Sequence, residues 1–231
     1  MVTEKQEKRL DMDMPEIPES DSNHSIVSEP IDGFMNVETG TVAIYRNLYE
    51  RIFWDLNEAE TELSGEHIDF ASLIHAAAHL RLVIEGVTAA SFTANHVLFA
   101  KVNQKMQGAK NFDAMRKAVR NLNKHYWPRA FGVVEHGGQT GLGVLSDTGL
   151  AEGEIGRYFG TVSELLHVRN PFAKPRTPED YLEQLLSLTE KFRDLLNWHL
   201  VQLADSSEYL YLRNLDGEIK VQAFRTENPL L

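Results

Sequence analysis

Apolar residues recur at steps of three and four through most of the chain, which is the spacing of an amphipathic helix. The first stripe begins near Thr41 and stops at Ser64-Gly65, a pair typical of a helix end. Three further stripes follow, from about Glu66, from Phe112 to His125, and from Glu152. The pattern therefore predicts a mainly helical protein.

The fifth predicted helix has the clearest start. Thr177 can serve as its N-cap, Pro178 occupies the first helical position, and Asp180 can complete a capping box. Its apolar stripe runs to about Ala204.

Two segments break the helical pattern. Residues 132–153 contain seven glycines, and we interpret this segment as a mobile loop. It is not predicted to bind nucleotide, because the Gly-Lys-Ser/Thr ending that holds phosphate and magnesium is absent. Near the C-terminus, alternating residues flank Asp216-Gly217, which predicts a β-hairpin.

The fold class predicted from these elements is all-α, a helical bundle of about five helices with a C-terminal β-hairpin. We divide the chain into a flexible acidic tail (1–38), a helical bundle (39–204) and the hairpin (205–231). An isolated hairpin is only marginally stable, so we expect it to pack on the bundle.

Composition narrows the class of protein. The 231 residues carry a net charge of −11, and residues 1–38 hold ten acidic and three basic residues with three prolines. Such a segment buries too little apolar surface to fold. The absence of cysteine excludes a disulfide scaffold, a thiolate metal site and a cysteine nucleophile. Without an apolar leader or a run of roughly 20 apolar residues, we expect a cytoplasmic protein outside the membrane.

The charge reverses between residues 101 and 129, where eight basic residues accompany a single acid, Asp113. A basic stretch in an acidic protein can contact nucleic-acid phosphates, and the acidic tail can shield it. The alternative is an ordinary solvated face. The candidate RNA-binding residues are Arg116, Lys117, Arg120 and Lys124.

His75 and His79 lie four residues apart on the second predicted helix, a spacing that can chelate zinc. A metalloprotease has glutamate directly after the first histidine, where this chain has Ala76, and no third ligand is evident. We therefore expect no metal and no cofactor. The two histidines are expected to line the core or to form hydrogen bonds.

Arg81 and Glu85 share the same four-residue spacing on a helix that is otherwise mostly apolar. Charges on such a helix are costly to bury unless they are paired. We expect them either to pair with each other or to reach Arg169 and Asn170 across the bundle.

The fourth predicted helix ends in a polar run, residues 166–174. Pro171 disfavours helical conformation at Asn170, so Arg169 and Asn170 are predicted to stand at the helix terminus. An arginine there can bind phosphate or stabilise a transition state. The alternative is that Arg169 and His167 only complement the helix dipole.

These residues resemble the HEPN superfamily, all-helical domains of prokaryotic defence and toxin systems. The resemblance covers roughly residues 41–204 and has two points of contact. Leu80–Gly86 is similar to the Arg…Glu helix of several HEPN groups, and Val168–Lys174 is similar to the Arg-Asn-x3-His motif, with Lys174 in the place of histidine.

The resemblance implies a metal-independent ribonuclease fold in which two copies of the motif meet at a dimer interface. Lysine is a poor general acid–base near neutral pH because its reference pKa is about 10.4. Many relatives are non-catalytic binding or assembly modules.

Three functions remain open from the sequence. The first is a non-catalytic HEPN-like module that binds RNA or a partner protein in a defence or stress system, as a homodimer or with another protein. The second is an active ribonuclease that uses Arg169, Asn170 and either His167 or Lys174. The third is a helical adaptor with no nucleic-acid role.

Overall fold

The structure is a computed structural model that describes residues 35–95, 112–136, 139–167, 176–203, 207–226 and residue 230. These residues form a mixed α/β fold, with five helices and a five-stranded antiparallel sheet. The all-α class predicted from the sequence is therefore wrong. Two segments, one predicted as a loop and one as the end of a helix, form three of the strands.

The helices largely follow the apolar stripes. They are α1 (Met35–Leu63), α2 (Phe70–Ala94), α3 (Phe112–Leu122), α4 (Ile155–Leu166) and α5 (Pro178–Leu196), with a 3-10 turn at Glu152–Glu154 leading into α4. The predicted capping box of α5 is confirmed, since Thr177 Oγ1 accepts from the Asp180 amide and the Asp180 carboxylate accepts from the Thr177 amide.

Helix α2 is the centre of the helical layer, and all four other helices contact it. Ala76, Leu80 and Ile84 are fully buried, and Gly86 lets α1 approach closely, because a Cβ there would lie 2.8 Å from Ile52 Cγ1. Among the described residues, α2 is the one helix long and apolar enough to cross a membrane by length and composition. A central core helix passes the same test.

The strands are β1 (Arg129–His136), β2 (Gln139–Val144), β3 (Trp198–Leu203), β4 (Glu208–Leu215) and β5 (Glu218–Arg225). Their order across the sheet is β2-β1-β3-β4-β5, and every neighbouring pair is antiparallel. Helix α5 lies against β1, β3 and β4, and α1 lies against β5. The helices thus cover one face of the sheet.

The glycine-rich segment 132–153 is not wholly a loop, as its sequence predicted. Its first half forms most of the β1–β2 hairpin, and the rest makes a turn in which Asp147 and Gly149 have positive φ angles of 59° and 76°. Gly132 and Gly143 face each other across the two strands. Their missing side chains remove the alternation by which a strand is recognised.

The end of the fifth stripe is also a strand. Helix α5 stops at Leu196, earlier than the predicted Ala204, and β3 begins at Trp198. The predicted C-terminal hairpin is confirmed as β4 and β5, joined by Asp216 and Gly217 with φ angles of 50° and 89°. This hairpin shares its sheet with β3 and so belongs to the same core as the helices.

Alternate residues of β4 divide between the two sides of the sheet. Leu210 and Leu212 join the large core shared with the helices. On the other side, Phe131, Trp198 and Tyr211 pack edge to face with ring centres 5.9 to 6.1 Å apart. The sheet is therefore apolar on both faces.

Candidate functional site

Arg81 and Glu85 on α2 form the ion pair predicted from their spacing, with Arg81 Nε 3.0 Å from Glu85 Oε1. Arg81 also reaches the end of α4, where its Nη1 lies 3.4 Å from Nε2 of His167. A guanidinium can only donate, so Nε2 of His167 is the acceptor in this contact. The ion pair thus lies beside the C-terminal end of α4.

His167 takes this place because α4 ends directly before it. Leu166 is the last helical residue, and His167 is extended, with φ of −117° and ψ of 162°. Arg169, Asn170 and Lys174 lie outside the described residues. Of the four residues predicted as catalytic candidates, His167 is therefore the one with a described position.

Two phenylalanines connect this ion pair to α3. The Arg81 guanidinium lies 5.2 Å from the ring centre of Phe159 on α4, a cation–π distance. Phe159 stacks on Phe112 of α3, with ring centres 4.6 Å apart and an interplanar angle of 16°. Arg116 lies 6.0 Å from the Phe112 ring. Both phenylalanines lie in the predicted helical segments, and no local signal in the sequence indicates that they meet.

Two of the four predicted RNA-binding residues are held by a carboxylate. Glu152 lies 3.9 Å from Arg116 Nη1 and 3.8 Å from Arg120 Nη1, and it accepts a 3.0 Å hydrogen bond from the Tyr126 hydroxyl. Burial and the nearby Glu152 raise the pKa of Tyr126, so its hydroxyl stays a donor. Glu152 therefore fixes both arginines while neutralising part of their charge.

The other two predicted RNA-binding residues are exposed. Lys117 and Lys124 face solvent, and neither takes part in an ion pair with any residue in the described part of the chain. Lys117, Arg116 and Arg120 line a shallow cavity of about 440 Å³ with Asn121 and Glu152. We call the combined surface the basic strip; it comprises Arg81, His167, Arg116, Lys117, Arg120 and Lys124.

The basic strip has the chemistry of an anion-binding surface. Arg81, Arg116 and Arg120 present planar donors that match phosphate oxygens, and the two lysines add mobile point charges. The carboxylates of Glu85 and Glu152 lie beside the strip, and each already forms an ion pair with an arginine of the strip. The strip can therefore attract and orient phosphates.

The two histidines with zinc-chelating spacing have separate carboxylate partners. His79 Nδ1 lies 2.9 Å from Asp55 Oδ1, and His75 Nδ1 lies 3.4 Å from Glu62 Oε1. No group of three or more histidine, aspartate or glutamate side chains placed to hold a metal ion occurs in the described ranges. Both histidines thus link α2 to α1.

A buried polar cluster at the junction of α1 and β3 was missed from the sequence. His199 Nδ1 donates to the Leu196 carbonyl at 3.0 Å, which leaves Nε2 to accept from the Tyr45 hydroxyl, also at 3.0 Å. Tyr49 packs its ring 4.7 Å from the same imidazole. Burial lowers the pKa of His199 to about 4, and burial raises the pKa of both tyrosines. The cluster is neutral and structural.

A polar groove of about 610 Å³ lies between α4 and α5. Within it, Glu164 accepts from Tyr181 at 2.8 Å and pairs with Arg176 at 3.3 Å, while Thr161 donates to Gln184 at 2.6 Å. Its polar side chains therefore bind each other and tie the two helices together.

Comparisons with known proteins do not assign the chain to a family. No protein-family model, no curated protein and no solved structure matches the chain.

Proposed function

We propose that this chain is an RNA-binding module that holds RNA on the basic strip without cleaving it. The proposal follows from the HEPN-like resemblance of the helical part of the chain and from the concentration of cations on one surface of an acidic protein. Phosphates dominate the affinity of proteins for nucleic acid, so the strip is where an RNA backbone is expected to bind.

The observation that carries the proposal is the chain of aromatic contacts that joins Arg81 on α2 to Arg116 on α3. Arg81 and Arg116 are far apart in sequence, yet the stacked rings of Phe159 and Phe112 lie between their guanidinium groups. These contacts connect Arg81, which lies beside the end of α4, to the basic helix α3. Cations that two helices bring to neighbouring positions can contact several phosphates of one RNA backbone, whereas a single isolated cation cannot.

Two features support binding rather than cleavage. The motif carries Lys174 where a catalytic histidine is expected, and a lysine rarely exchanges protons near neutral pH. His167, the histidine of the strip, already uses Nε2 to accept from Arg81. General acid–base catalysis needs a group within hydrogen-bond reach of the proton that it moves, and this nitrogen faces a cation.

Fluorescence anisotropy with a labelled single-stranded RNA of about 20 nucleotides at low salt tests the proposal, because phosphate contacts are strongest there. The full chain should bind, and the double variant Lys117→Ala/Lys124→Ala should bind on the order of tenfold more weakly. Both lysines are exposed, so the variant should fold normally.

Lys220→Ala is the matched control, since it removes an exposed lysine from β5, outside the strip. Its RNA affinity should stay close to that of the unaltered chain. Absence of binding at low salt would favour a protein-interaction role instead. The same samples on a denaturing gel test the second part of the proposal, because RNA cleavage that is lost in Arg81→Ala would show a ribonuclease.

A further inference from the structure

The two edge strands of the sheet differ in how well they are protected against pairing with a strand of another chain. The β5 edge carries the exposed charges Glu218, Lys220 and Arg225 and lies against α1. The β2 edge, residues 139–144, has no charged residue and no proline. Charged side chains and prolines are the usual means by which edge strands prevent pairing with another chain. By this criterion β5 is protected and β2 is open.

The hydrogen-bond pattern shows which backbone groups of β2 face outward. The Leu145 amide donates to the Ala130 carbonyl at 2.9 Å, so these two residues form a hydrogen-bonded pair. Such pairs alternate along an antiparallel ladder, so Gly143 and Gly141 also bond toward β1. The alternate residues Thr140, Leu142 and Val144 therefore point their amide and carbonyl groups away from β1, toward the open edge of the sheet.

The side chains beside this edge are apolar and exposed. Leu142 pairs with Val133 across the hairpin, on the face opposite the helices. They are 44% and 58% exposed, which is high for leucine and valine in a sheet. On the opposite face Gly141 and Gly143 have no side chain that would sterically hinder the approach of another strand.

We propose that β2 is a self-association edge, which pairs antiparallel with β2 of a second copy of this chain about a two-fold axis at Leu142. In this register Leu142 meets Leu142 of the second copy, and Thr140 meets Val144 on either side of the axis. Each of these residues exchanges both backbone hydrogen bonds with its partner. The two Leu142 side chains and the two Val133 side chains then form one apolar patch.

A second copy fits this edge because the edge is self-complementary. A two-fold axis requires each patch to bind itself, so a charge near the axis would repel its own copy. From Thr140 to Val144 the strand carries none. The interface involves neither His167 nor α3, and it therefore goes beyond the proposed RNA-binding function.

Sedimentation of the full chain over a roughly hundredfold concentration range tests the proposal, because an interface of one strand pair is smaller than a standard one and should be weak. The average mass should rise from 26.2 kDa toward twice that value. Leu142→Lys places two lysines opposite each other and should raise the dissociation constant at least about tenfold.

A complementary pair of variants makes the test specific. Leu142→Lys and Leu142→Glu should each remain monomeric alone, and an equimolar mixture should regain the dimer, since opposite charges then meet across the axis. Leu215→Lys is the control, because Leu215 is 40% exposed on β4, which β1 and β3 separate from β2. It should behave as the unaltered chain does.

Thr140→Pro removes an outward-facing amide while leaving the side chain of Leu142 in place, and proline is tolerated at such edge positions. It should also weaken the dimer. A monomer at every concentration would overturn the proposal, as would a dimer that Leu142→Lys and Thr140→Pro leave intact. Circular dichroism of each variant separates lost pairing from lost folding.

Discussion

Acidification should destabilise the fold through His199, whose imidazole is fully buried between the Tyr45 hydroxyl and the Leu196 carbonyl. The neutral ring satisfies both neighbours in one tautomer. A proton on Nε2 would turn that nitrogen from an acceptor into a donor and place a charge where water does not reach. Protonation of His199 is therefore less favourable in the folded protein than in the unfolded chain.

The pKa values set the size and the direction of the effect. Burial lowers the pKa of His199 from 6.5 in the unfolded chain to about 4 in the fold. Between these two pH values the unfolded state binds a proton that the folded state does not. The contribution of His199 to the free energy of unfolding is therefore fully present above pH 6.5 and is lost as the pH decreases toward 4. At about 1.4 kcal/mol for each pKa unit, the full loss is about 3 kcal/mol, of which about 2 kcal/mol appears by pH 5.

Urea unfolding at several pH values, followed by circular dichroism, measures this loss. His199→Gln should be less stable at neutral pH, and its stability should fall by about 2 kcal/mol less than that of the unaltered chain between about pH 7 and pH 5. His67→Gln, at an exposed histidine, should keep the original pH dependence. Equal losses of stability in the unaltered chain and in His199→Gln would show that His199 does not cause the acid destabilisation.

Two further predictions concern the backbone. Gly149→Ala should destabilise the fold by about 2 to 4 kcal/mol in urea unfolding, because Gly149 has φ of 76° and an added Cβ would lie 2.8 Å from the Leu195 backbone. Gly217→Ala, with φ of 89° but nothing within 4 Å, should cost about 1 kcal/mol, and an equal effect would contradict the steric argument. Thr177→Ala should cost about 1 kcal/mol by thermal unfolding, and Thr177→Ser should restore it.

The elements that could be predicted from the sequence are those with a local chemical signal. Thr177, Pro178 and Asp180 mark the start of α5 because a cap, a fixed φ angle and a returning carboxylate act within one turn. Asp216-Gly217 predicts the last hairpin because its turn requires positive φ at both residues. Each of these signals is complete within a few residues.

The other three strands could not be predicted because their signals come from distant partners. Gly132, Gly141 and Gly143 interrupt the side chains on one face of the β1–β2 hairpin, so no regular apolar alternation marks these strands. The apolar residues of β3 continue the spacing of α5, and only pairing with β1 and β4 shows that Trp198–Leu203 is extended. The error in fold class follows from these two segments.

In the candidate site, too, contacts within one helix could be predicted from the sequence and contacts between helices could not. The pairing of Arg81 with Glu85 was predictable because the spacing of four places them on one face of α2. The contact of Arg81 with His167 and the stack of Phe159 on Phe112 join separate helices, and no spacing rule indicates them. The chain of contacts from Arg81 through Phe159 and Phe112 to Arg116 is therefore a finding of the structure.

The salt dependence of RNA binding tests the central claim most directly, because it counts the phosphates that the basic strip contacts. Plotted as log K against log salt concentration, the affinity of the full chain should fall steadily, and Lys117→Ala/Lys124→Ala should reduce that slope by about 1.4, since each phosphate contact on a single strand contributes about 0.7. Lys220→Ala should leave the slope unchanged. Binding that is insensitive to salt, or a slope that the double variant does not alter, would contradict RNA binding on the basic strip.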